Sequence, residues 1–162
     1  MFIPLTLKLV LILMFAFIGF QDIKERQVYW FLIVSVCVLC GLLFYQNSLS
    51  ELFLNAVIMN VVFVSTLILI IYMYSRLKLK SKFSEAIGLG DILLFFGLTL
   101  SFSTVSFIVV FISSFFFSLV LHLLVKRKST FNTIPLAGYM SLFFSITYIS
   151  YWFGFIDGLY TL

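Results

Sequence analysis

The decisive stretch is residues 92–125, ILLFFGLTLSFSTVSFIVVFISSFFFSLVLHLLV, which holds no Asp, Glu, Lys or Arg. As one helix rising about 1.5 Å per residue it would be ~50 Å long, against ~30 Å of bilayer hydrocarbon. A single crossing would need extreme tilt, so the run is expected to break once. Ser101, Ser103, Thr104 and Ser106 form a polar notch in its middle. Short hydroxylated side chains offer the backbone alternative hydrogen bonds there. The notch predicts a short helix over 92–102 and a full-length one over 105–125.

Working outward, residues 2–20, 28–45, 52–74 and 136–153 are four further apolar runs of membrane-spanning length. The chain is 64% hydrophobic and 10% charged, where soluble domains run near 45–50% and about 25%. These observations predict an all-α, polytopic membrane helical bundle of about six transmembrane helices with a short fourth, forming one domain over 1–162. They exclude a soluble enzyme core, a DNA-reading module and a disulfide-stapled secreted fold. The bilayer is therefore an expected partner and nucleic acid is not.

The distribution of basic residues tests the break independently. With six spans, Lys24 and Arg26 follow helix 1, Arg76, Lys78, Lys80 and Lys82 follow helix 3, and Lys126, Arg127 and Lys128 follow helix 5. Every basic residue except Lys8 then falls in an odd-numbered loop, as the positive-inside rule requires of cytoplasmic loops. Five spans would put the last cluster on the wrong side. Both termini are therefore expected outside. Lys8 within the first apolar run, and the absence of a small-x-small cleavage site before Gln21, predict that helix 1 is retained.

Two of the six acids attract attention. Asp22 directly follows the first apolar run, and Asp91 opens helix 4 within Gly88-Leu89-Gly90-Asp91. In the six-span layout both lie at the cytoplasmic boundary, so they can meet although distant in sequence. Two carboxylates sharing a site cannot both ionise cheaply and hold one proton between them. Such a pair serves an aspartic protease, in which one carboxylate activates water and its protonated partner donates to the developing oxyanion. Gly88 and Gly90 are expected to allow a tight turn and close approach of an extended substrate. Taken singly, Asp91 is equally an N-cap, and Asp22 an interfacial acid paired with Lys24 or Arg26. Glu25, Glu51, Glu85 and Asp157 read as solvated.

Asp22 to Val28, Gly88-Leu89-Gly90-Asp91 and Thr133-Ile134-Pro135-Leu136 resemble the three signature regions of the type IV prepilin peptidases, the GxGD class of intramembrane aspartic proteases. The resemblance in order, spacing and six-span layout covers nearly the whole chain. It implies that Asp22 and Asp91 are the catalytic pair, that Gly88, Gly90 and Pro135 help to shape the substrate site, and that no cofactor or metal is required. It further implies cleavage of a prepilin or pseudopilin-like leader at the cytoplasmic face of the inner membrane, in pilus biogenesis or type II secretion. The chain has Val28, Tyr29 and Trp30 where the family commonly reads Ile-Pro-Asn, Leu93 where many members carry Lys, and Gly138 in place of a second Pro. The methyltransferase domain of the larger enzymes is not in this sequence, so no methylation is expected.

Elsewhere the bland readings hold. Cys37 and Cys40 form a CxxC inside an apolar helix and read as packing residues. His122 reads as an interfacial anchor, and Asn55 and Asn60 as interhelical hydrogen-bonding groups. Pro135 suits the first turn of helix 6. The competing classes are a presenilin-like protease, which needs more spans, a small transporter using the two acids as a cation pathway, and a pilus or secretion assembly subunit without protease activity. Topology is testable directly: in a background lacking Cys37 and Cys40, cysteines introduced at Lys80 and Arg127 should be labelled from the cytoplasm and one at Ser48 from outside. Labelling of positions 80 and 127 from opposite sides would restore the five-span arrangement.

Overall fold

The charge-free run breaks once, at the polar notch. In a computed structural model that describes residues 5–79, 87–125 and 134–161, the chain forms six α-helices: α1 Leu5–Glu25, α2 Trp30–Asn47, α3 Ser50–Tyr74, α4 Leu89–Leu98, α5 Thr104–Val125 and α6 Leu136–Trp152. A π-helical turn, Ser75–Leu79, extends α3. No strand occurs among the described residues. Four helices, α1, α2, α3 with its extension, and α5, are long and apolar enough to cross a bilayer. The side chains they turn outward include Leu13, Val38, Ile58, Val109 and Phe116, all exposed, a surface suited to lipid rather than water. The basic and acidic residues at 80, 82, 85 and 126–128, and Thr133, lie outside the described residues.

Several boundaries differ from the sequence reading, for local reasons. Helix α1 continues beyond the apolar run to Glu25, so Asp22 lies in its last turns rather than after it. Helix α4 begins at Leu89, which makes Asp91 its third residue instead of its first. Pro135 is the N-cap of α6 and precedes its first turn.

At ten residues α4 is roughly 15 Å long, about half the hydrocarbon thickness. Irregular backbone at membrane depth is tolerated only where protein satisfies its polar groups. Here Asn60 of α3 is fully buried and donates from Nδ2 to the carbonyls of Thr99, at 2.9 Å, and Phe102, at 3.1 Å. The segment after α6 fills the remaining space. Ser103 donates its N–H to Leu159 O and its hydroxyl to Thr161 O at 2.9 Å, while Tyr160 stacks on Phe44. Asn55, by contrast, is exposed on α3. Lys8, the exception to the charge segregation, places its ammonium over the Trp152 ring at 5.1 Å, at the C-terminal end of α6 where a cation suits the helix dipole.

The core is aromatic. Phe15, Phe102, Phe144 and Tyr148 meet where α1, the 99–103 connection and α6 converge, and Phe95, Phe111 and Phe115 join α4 to α5. Cys37 and Ile33 of α2 pack at Gly97 of α4, where a small residue lets the two helices approach. Asn60→Ala should strip the hydrogen bonds that hold the 99–103 connection and cost about 1–2 kcal/mol. The check is thermal denaturation of the detergent-solubilised protein, and an unchanged midpoint would show that the connection does not depend on Asn60.

Candidate active site

Helix α6 supplies the frame. The first N–H groups of a helix have no partner within it and carry the positive end of its dipole. Pro135 cannot cap them with a side-chain acceptor, and two carboxylates from elsewhere do so. Ala137 N–H donates to Asp91 Oδ1 at 2.9 Å, and Gly138 N–H donates to Asp22 Oδ2 at 2.6 Å. Consecutive backbone amides thus hold one carboxylate from the end of α1 and one from the start of α4. Asp22 is 7% exposed.

The approach depends on absent side chains. A Cβ at Gly138 would stand 3.1 Å from both Cβ and Oδ2 of Asp22 and 3.2 Å from the Gly19 carbonyl. Gly19 meets Leu142 and the Gly138 carbonyl in the same way, so α1 and α6 cross on a pair of glycines. Sequence reasoning registered Gly138 only as a departure from a family pattern. The signal for its role was a small residue three positions after a helix-starting Pro, yet that becomes informative only when the opposing element is known.

Asp22, Asp91, Gly88, Gly90 and Ala137 line one cleft of about 340 Å³ together with Arg26, Gln27, Val28 and Leu89. Of the residues singled out in the sequence, Pro135 alone stands back from this wall; it is buried, and its carbonyl accepts from Tyr139 N–H. The two glycines need no special backbone. Gly88 is extended, with φ −71° and ψ 147°, and Gly90 is helical. The tight turn expected of them is absent because α4 starts directly at Leu89. Their spatial roles diverge: a Cβ on Gly88 would crowd Asp91 Oδ2 at 3.2 Å, whereas one on Gly90 would meet nothing within 4 Å.

Asp91 does not act as an N-cap either. Gly88 occupies that position, and the Asp91 side chain at the third helical position takes the Gly88 N–H, the reciprocal half of a capping box, in addition to that of Ala137. Asp91 lies outside the four long spans. Burial, and then the neighbouring Asp22 carboxylate, push it up to about 6, while the Ala137 and Gly88 hydrogen bonds pull the other way. A carboxyl with that balance keeps its proton into mildly acidic solution, above the range of an ordinary aspartate. Among the described residues lining this cleft, the titratable acids are the two aspartates. Glu25, Glu51 and Asp157 are exposed.

No protein-family model, no curated protein and no solved structure gives a significant match to the chain. The chemistry of the cleft therefore has to be argued from its own groups. Two largely buried carboxylates, one held above the usual carboxylate range, line a single cleft with Gly88, Gly90 and Ala137. That arrangement is able to move one proton to a substrate and accept another from water in the same step.

The glycines provide a stability test. Gly138→Ala should lower the denaturation midpoint, by an overpacking cost of about 1–3 kcal/mol that exceeds the helix-propensity gain. Gly90→Ala should leave the midpoint unchanged or raise it. Equal midpoints for the two variants in a thermal shift measurement would refute the close packing of Gly138 on Asp22.

Proposed function

We propose that this chain is a membrane-embedded aspartic endopeptidase that cleaves the leader of prepilin-like precursors at the cytoplasmic face of the inner membrane. The observation that carries the proposal is the meeting of Asp22 and Asp91 on the consecutive N–H groups of Ala137 and Gly138. Two carboxylates brought to one helix terminus repel when both are ionised, which favours a proton shared between them. The motif resemblance in three regions, in which the same two aspartates stand as the pair, supports the reading from the sequence side.

In the proposed reaction, the ionised carboxylate of the pair takes a proton from water as the water oxygen bonds to the scissile carbonyl carbon. The protonated partner gives its proton to the carbonyl oxygen, forming a gem-diol. Collapse of the diol breaks the C–N bond; the proton taken from water passes to the leaving nitrogen, and a diol hydroxyl returns the other to the partner. Each turnover consumes one water and restores the shared proton. The amides of Ala137 and Gly138 hold both carboxylates in place throughout. Gly90, whose Cα faces open space on the cleft wall, offers a surface along which an extended segment can lie. The substrate must present its scissile bond unwound, since a helical peptide bond is hidden in its own hydrogen bonds.

A cation pathway is less well supported, because such a route requires titratable groups spaced through the bundle and both acids stand at one end. Processing of a candidate precursor by wild type, Asp22→Asn, Asp91→Asn and the double variant tests the proposal. Asn keeps the size and loses the ionisable proton. Each single variant should lose at least about a hundredfold in cleavage, and the double variant should be no worse, because members of one catalytic unit are not additive. The wild-type rate should fall on both sides of its optimum as the pair gains a second proton or loses its last. A capping role would instead cost about 0.5–2 kcal/mol of stability with activity following protein level. Full cleavage by Asp22→Asn at normal abundance would overturn the assignment.

A further inference from the structure

Arg26 is the one non-glycine residue with positive φ, 56°, among the described residues. It ends α1: its N–H donates to the Asp22 carbonyl at 3.1 Å, and three residues on, Tyr29 N–H donates to the buried side chain of Gln21 at 3.3 Å. This is the left-handed helix terminator that glycine or asparagine normally supplies, and a residue with a long side chain occupies it only against a steric cost. The turn brings Arg26 onto the wall of the cleft that both aspartates line. Its side chain is half-buried there and acts electrostatically on Asp22, the residue one turn earlier on the same helix.

Few charged groups among the described residues line the cleft. Among the described residues lining the cleft, α1 and its terminator contribute Asp22 and Arg26, α4 contributes Asp91, and α6 contributes only uncharged backbone. Lys24 and Glu25 are exposed outside it, Lys24 lying over the Phe20 ring. One permanently charged guanidinium therefore stands closer along the chain to one carboxylate than to the other.

Resting on the protease reading above, we propose that Arg26 is a positioning residue that makes the two aspartates unequal: its guanidinium selects Asp22 as the carboxylate that stays ionised and takes the proton from water, and leaves the shared proton on Asp91 as the general acid. A symmetric pair would divide its proton between two sites and spend part of its time with the acid on the wrong side of the substrate. The unfavourable backbone at position 26 is then explained, because it turns the side chain inward where a glycine terminator would present none.

The test follows the protonation of the pair with and without turnover. Infrared titration of the carboxylic-acid carbonyl stretch, on the full chain in phospholipid vesicles, reads the first ionisation directly. Arg26→Gln should raise that midpoint by about one pH unit or more, the usual scale for losing a neighbouring opposite charge. Arg26→Lys should restore it. Arg26→Gly relieves the backbone and should fold at least as well, yet its midpoint should rise as in Arg26→Gln. Cleavage of a precursor by the same samples should show the acid limb of the rate profile displaced by the same amount, about tenfold in rate below the limb. A wild-type midpoint in Arg26→Gly and Arg26→Gln would overturn the proposal while leaving the protease reading intact. Displaced midpoints in Arg26→Gln and Arg26→Gly, together with wild-type protein that cleaves no precursor, would instead overturn the protease reading and leave the electrostatic role of Arg26 standing.

Discussion

The arrangement depends on the exposed amides at the start of α6. Buried backbone N–H groups left without acceptors are costly, and Pro135 offers no side-chain cap. Asp22 and Asp91 meet that need together, which ties the end of α1 and the beginning of α4 to one helix terminus. The positive end of the α6 dipole also offsets part of the repulsion between the two carboxylates. The groups that organise this end of the bundle are thus the groups best suited to chemistry there.

Fixing Asp91 at that terminus has consequences at the opposite end. Helix α4 starts level with the dyad and stops after ten residues, leaving a gap through the rest of the bundle. Asn60 satisfies the carbonyls where the chain breaks, and the segment after α6 enters the gap with Leu159 and Tyr160 buried. A short helix, a buried amide and a folded-back tail meet in one place: Asn60 takes up the free carbonyls of Thr99 and Phe102, and the tail carbonyls take the Ser103 donors. The aromatic cluster of Phe15, Phe102, Phe144 and Tyr148 sits at their junction.

Much of the fold was legible because hydrophobic length is a coarse and robust signal. The break near Ser101 followed from comparing one long run with the bilayer thickness, and the structure places it there. The ends of elements were less legible. Helix α1 runs past its apolar segment because Gln21 takes the Tyr29 N–H at the start of α2 and Asp22 takes the Gly138 N–H of α6, which no window of hydropathy records. Gly88 and Gly90 suggested a tight turn, yet the helix simply begins between them, and only one of the two is crowded. Arg26 looked like an ordinary loop cation, since φ is invisible in a residue type that seldom adopts positive values.

The sequence by itself determined that the chain is a helical bundle for a membrane, where its longest run must break, and which two acids stand at the ends of apolar segments. Those features depend on local composition and on the fixed thickness of a bilayer. Only the tertiary structure decided that the two acids share neighbouring amides, that Gly138 makes room for one of them, and that Arg26 lies on the cleft they line. Each of these is a contact between parts of the chain far apart in sequence or a backbone angle, set by packing rather than by the identity of any one residue.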